Sequence, residues 1–67
     1  MSDHAGAVSA FDRETGLGTV RDGDGREWPF HCIEIADGSR DIAVGTAVSF
    51  DLLAKLGRYE AANLVPA

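Results

Sequence analysis

The side chains with chemistry to offer in this chain are a His31-Cys32-Ile33-Glu34 run, a Gly16-Leu17-Gly18 step, and arginines interleaved with aromatic rings. His31, Cys32 and Glu34 carry metal-capable atoms. The other histidine, His4, sits near the N-terminus, far from the paired spacing of a zinc site, so neither a metal nor a cofactor is expected. A catalytic thiol at Cys32 needs an activating base and a pocket, and no acid, base and nucleophile cluster together in the sequence. Cys32 therefore reads as a structural or rim thiol, and the chain as a binding module rather than an enzyme. Gly16 and Gly18 mimic part of a phosphate-cradling loop, but no helix follows them. They read instead as positions that let a strand bend sharply.

Arg13, Arg21, Arg26 and Arg58 are separated in sequence and need a fold to converge. The bland alternative is that they are solvated charges paired with Asp12, Glu14, Asp22 and Asp24. The net charge of −5 is opposite in sign to the basic footprint of most nucleic-acid binders. It lowers the expectation of strong phosphate binding, yet leaves room for affinity drawn from base stacking.

The elements that must position these groups are short strands. Turn signals recur at Thr15-Gly16, Asp22-Gly23-Asp24-Gly25, Asp37-Gly38-Ser39, Gly45 and Lys55-Leu56-Gly57, which favours a sandwich or barrel. Strands are expected over 6–12, 17–21, 26–32, 46–54 and 58–65. Period-two alternation turns Trp28 and Phe30 inward, with Trp28 as a core residue, and likewise Val48, Phe50 and Leu52. Pro29, with no N–H to donate, belongs at an edge or bulge. Ile33 to Val44 has no clean period and reads as a helical turn and loop, with Ile35 and Ile42 tucked against the barrel. The fold class is thus all-β: a small five-stranded antiparallel Greek-key barrel of the OB-fold type, whose closure removes exposed edges.

At 67 residues, 45% of them hydrophobic, the chain supports one small core. Residues 1–5 are expected to be a flexible end and 6–67 the single domain. One cysteine cannot form an intrachain disulfide, so packing alone must hold the barrel, and a reducing cytoplasm fits. Neither a signal-peptide pattern nor a membrane-length apolar run is present in the sequence.

Five segments fall in the order and approximate spacing of a cold-shock domain: Gly6-Ala7-Val8-Ser9-Ala10-Phe11-Asp12, Thr15-Gly16-Leu17-Gly18-Thr19-Val20, Phe30-His31-Cys32, Gly45-Thr46-Ala47-Val48-Ser49-Phe50 and Ala61-Ala62-Asn63-Leu64-Val65. The chain resembles that family from Gly6 to Val65. The resemblance implies a barrel that binds single-stranded RNA or DNA by stacking bases on exposed rings. This sequence departs from the pattern where those rings stand. Ser9-Ala10-Phe11 replaces a Lys-Trp-Phe step, Thr15-Gly16-Leu17-Gly18-Thr19 replaces Lys-Gly-Phe-Gly-Phe, and Pro29 and Cys32 occupy aromatic positions. Stacking contributes roughly 1–3 kcal/mol per base. Losing the rings at Ala10, Leu17, Thr19 and Pro29 therefore lowers a family-like affinity by several orders of magnitude unless other contacts replace them.

By the resemblance, the nucleic-acid-binding residues are Phe11 and His31, with Arg13 and Arg21 flanking the binding strands and Leu17, Thr19 and Pro29 on the face between. Phe11 fits equally well as a stacking ring or as a half-buried ring on the barrel, and His31 as a base contact or a plain surface histidine. Tyr59 belongs either to a binding surface or to the cover of a barrel end. Two functions follow: weak or altered binding of single-stranded nucleic acid, or a protein-interaction module in which the face of Ala10, Leu17, Thr19 and Pro29 docks a protein partner or forms a homodimer.

Overall fold

A computed structural model describes residues 4–67. Its strands are β1 (His4–Asp12), β2 (Leu17–Asp22), β3 (Glu27–His31), β4 (Ala47–Lys55) and β5 (Arg58–Pro66), with one 3₁₀ turn, Cys32–Glu34, after β3. They form a single antiparallel sheet in the order β3-β2-β1-β4-β5. Three hairpin-connected strands followed by a fourth that returns beside the first is the Greek-key order. The all-β five-stranded architecture read from the turn spacing is the observed one.

The turns form where short polar side chains and glycines make them cheap. At the β1–β2 turn, Asp12 accepts the Glu14 amide (2.9 Å) and Gly16 takes φ +76°. At the β2–β3 turn, the Asp22 carboxylate accepts the Asp24 and Arg26 amides (2.9 and 3.0 Å), and only Gly25 of the two turn glycines goes left-handed, at φ +83°. The Asp22 amide donates to the Arg26 carbonyl at 2.9 Å, so three residues, Gly23 to Gly25, lie inside the closing bond with the left-handed glycine last, a favoured hairpin connection. Gly18 is not a bend. A Cβ there would fall on the Phe30 ring, so this glycine lets β2 pass directly over that ring.

Curvature comes from two register shifts: β1 carries an extra residue between Val8 and Ala10 opposite β2, and β5 carries one between Val65 and Ala62 opposite Ser49 and Asp51 of β4. An extra residue in one strand bends it and tightens its twist. β1 consequently pairs with β4 through His4–Ala7 and with β2 through Gly6–Asp12. The first strand thus starts earlier than expected: His4 and Ala5 pair with Phe50 and Ser49, and the His4 ring stacks on Phe50 at 5.6 Å. The remainder of the expected flexible end, residues 1–3, lies outside the described residues.

The sheet does not close. β3 is short and stops at His31, and it forms no ladder with β5. The segment after β3 seals the gap instead. Ile35 forms a parallel bridge to Leu64, the Ala36 amide donates to the Leu64 carbonyl at 2.8 Å, and the Asn63 amide donates to Glu34 Oε1 at 3.2 Å. The result is a partly open Greek-key barrel of the OB type. Pro29 lies on the edge strand, where its missing N–H interrupts no second ladder.

Among the described residues, every strand and Ile35, just past the 3₁₀ turn, feed one core of Val8, Val20, Phe30, Ile35, Val48, Phe50, Ala61 and Leu64. Ile42 and Leu52 pack against it. Trp28 is only half-buried, which corrects its reading as a core residue. Its ring touches the core while Nε1 donates to Asp22 Oδ2 at 3.1 Å, as an amphipathic ring does at a barrel end.

Candidate nucleic-acid interface

Alternation on β2 directs Leu17, Thr19 and Arg21 to one face and Gly18 and Val20 to the other. Cross-strand register extends each row over three strands: Ala10, Thr19 and Pro29 lie side by side, as do Asp12, Leu17 and His31. A shallow groove of about 420 Å³ runs over this face, lined by Ala10, Leu17, Thr19, Pro29, Phe11 and Arg58 among others. A second depression, bordered by Arg13, Glu14 and Val44, begins where the first ends, and Phe11 and Asp12 line both.

The groove therefore gathers four of the residues expected from sequence: Phe11, Leu17, Thr19 and Pro29. Arg13 lines the adjoining depression, whereas Arg21 and His31 line neither. Arg21 lies directly across from Glu27, with Nη2 3.0 Å from Oε2. His31 caps the 3₁₀ turn: its Nδ1 accepts the Ile33 amide at 3.3 Å and lies 3.8 Å from Cys32 Sγ. That bond makes Nδ1 an acceptor and leaves Nε2 as the ring's free edge. Phe11 packs parallel to Phe30, with 5.9 Å between centroids and 2° between planes. It is the half-buried ring on the barrel that one of its two readings expects, and it also lines the groove.

Compared with known proteins, the chain matches no family model and no curated sequence.

Arg58, at the head of β5, lines the groove although nothing local in its sequence marks it. Its signal was topological. In an OB-type barrel the β4–β5 turn overhangs the face of β2 and β3, so a cation beside Gly57 falls over that face. Three of the arginines do hold carboxylates. Arg13 pairs with Asp41, Arg21 with Glu27 and Arg58 with Glu60, rather than with Asp12, Glu14, Asp22 or Asp24. Among the described residues no three of His, Cys, Asp and Glu converge to hold a metal ion, and no helix is long and apolar enough to cross a membrane.

Proposed function

We propose that this chain is a cold-shock-like module that binds single-stranded RNA or DNA weakly, with the groove across β1, β2 and β3 as its site. The observation that carries the reading is the convergence of Phe11, Leu17, Thr19, Pro29 and Arg58 on one groove. It lies where OB-type barrels take oligonucleotides, over strands 2 and 3 and between the β1–β2 and β4–β5 loops. Phe11 offers one stacking ring, Leu17 and Pro29 offer apolar surface to base faces, and Arg58 and Arg13 reach phosphates from the two loops. With one ring where the family has several, affinity is low and sequence preference shallow. The single free thiol, Cys32, suits a reducing cytoplasm.

The test is fluorescence anisotropy of labelled single-stranded oligonucleotides at low salt. Phe11 and His31 are poor first targets, since one packs on the core and the other caps a turn. Leu17→Ala and Arg58→Ala alter exposed side chains and leave the barrel intact. Binding that weakens about threefold or more in both supports the groove; binding indifferent to both places any site elsewhere.

A second reading has its own observation. Leu17 is 57% exposed beside exposed Ala10 and Pro29, an apolar patch that also suits a protein partner or a second copy of the chain. A sedimentation mass that rises with concentration, and falls back in Leu17→Glu, favours the homodimer.

A further inference from the structure

The three salt bridges among the described residues hold Arg58, which lines the groove, Arg13, which lines the adjoining depression, and Arg21, which lies on the same sheet face as Leu17 and Thr19. Arg13 meets Asp41 through two bonds, Nε to Oδ1 at 2.9 Å and Nη2 to Oδ2 at 2.9 Å. Arg58 donates Nε and Nη2 to Glu60 Oε2, at 3.2 and 2.9 Å. Arg21 Nη2 meets Glu27 Oε2 at 3.0 Å. Arg26, Arg40 and Lys55, the other cations of the chain, join no salt bridge among the described residues. The carboxylates are therefore not spread evenly over the positive charges; they occupy the guanidinium groups a phosphate would use.

We propose that Asp41, Glu27 and Glu60 are built-in competitors for phosphate, which make the groove select unpaired strands over duplex. The inference rests on the groove being a strand-binding site. The fork that Arg13 presents to both Asp41 oxygens matches a phosphate by the same two-point geometry, and Arg58 and Arg21 give to single carboxylate oxygens the donors a phosphate oxygen would take, so carboxylate and phosphate compete for one place. A duplex presents a dense phosphate surface with its base faces stacked away, and gains little from cations already neutralised. An unpaired strand still gains from Phe11, Leu17 and Pro29 through its bases. Because paired arginines contribute few counterion-releasing contacts, the wild-type affinity depends only shallowly on salt.

The experiment compares wild type, an Asp41→Asn/Glu27→Gln/Glu60→Gln triple variant, and an Asp24→Asn/Asp37→Asn/Asp51→Asn triple variant. The last removes equal charge from carboxylates that hold no arginine. Each is titrated against a labelled single-stranded oligonucleotide and its duplex at several salt concentrations, after circular dichroism has verified folding. In the first triple variant, affinity for the strand rises by on the order of two- to fivefold per freed arginine. The slope of log affinity on log salt steepens by about 0.7 for each, and duplex binding rises most. The charge-matched variant gains less and keeps the wild-type slope. If wild type binds the strand but the two triple variants behave alike, the competition is refuted and the groove reading stands. If none of the three proteins binds the strand, the groove reading fails and the competition with it.

Discussion

Asp22 shows how much one side chain organises here. Its carboxylate accepts from Trp28 Nε1 and from the amides of Asp24 and Arg26, so it ties the turn of the β2–β3 hairpin to the ring that covers the barrel end. The Trp28 bond is the largest influence and lowers its pKa; burial comes next and opposes it, and the Arg26 and Asp24 amide bonds with the Arg26 charge add to the lowering, so the carboxyl sits below the ordinary 3.8. A carboxylate with a lowered folded pKa contributes stability that is present above its unfolded pKa and is lost as pH falls through the folded value. In Asp22→Asn the amide nitrogen offers Trp28 no acceptor. The variant is therefore expected to be less stable than wild type at neutral pH, and the gap to shrink steadily once pH drops below about 3.8. Urea unfolding followed by the fluorescence of Trp28, the chain's one tryptophan, at neutral and strongly acid pH measures both. A gap that does not change with pH refutes the role. Alternation along Glu27–His31 makes the inward side of Trp28 legible in sequence; the Asp22 partner is not, because it depends on how three residues of loop turn the hairpin.

The strands themselves are legible because hydrophobic period and turn chemistry agree at every hairpin: Val48 and Phe50 alternate with Ser49 and Asp51, and Gly57 closes the turn that follows. Closure of the barrel is a different matter. It depends on where β3 ends relative to β5, a long-range registration that no local pattern encodes. The seam formed by Glu34, Ile35 and Ala36 against Asn63 and Leu64 consists of one bridge and a few hydrogen bonds, whereas β2 has a strand paired on each side from Leu17 to Arg21. Regions held by fewer cooperative contacts open at lower free energy. Hydrogen exchange should accordingly find the Ala36 amide exchanging faster than the amides of β2 yet slower than those of the exposed Ser39–Asp41 stretch. Protection at Ala36 equal to that of β2 means that the seam opens only with the whole barrel and that the sheet is functionally closed.

At the scale of the whole molecule, 67 residues and no disulfide set a narrow margin. A domain of this length is stable by about 3–10 kcal/mol if it follows the usual 0.05–0.15 kcal/mol per residue. Among the described residues its core is eight side chains, of which Phe30 and Phe50 are the largest. That economy explains why the fold reads more clearly in the sequence than the site does. Core positions such as Val8, Val20 and Phe50 are held to apolar types by burial, whereas Leu17, Thr19 and Pro29 face outward and packing constrains their types less. Arg58 enters the groove only through the β4–β5 turn, and Asp41 meets Arg13 only through a long connection, neither of which periodicity predicts. The margin is itself measurable. Phe50 lies at the centre of β4, fully buried and stacked under His4. Truncating a buried phenylalanine to alanine costs about 3–5 kcal/mol, most of what a chain of this size has. Phe50→Ala should be substantially unfolded at room temperature, with weak near-ultraviolet circular dichroism and no cooperative thermal transition. Leu53→Ala, three residues on and facing solvent, should unfold within about 0.5 kcal/mol of wild type. A Phe50→Ala protein that melts cooperatively would mean that the open seam lets the barrel collapse onto the lost volume, and that its stability is shared more widely than among those eight side chains.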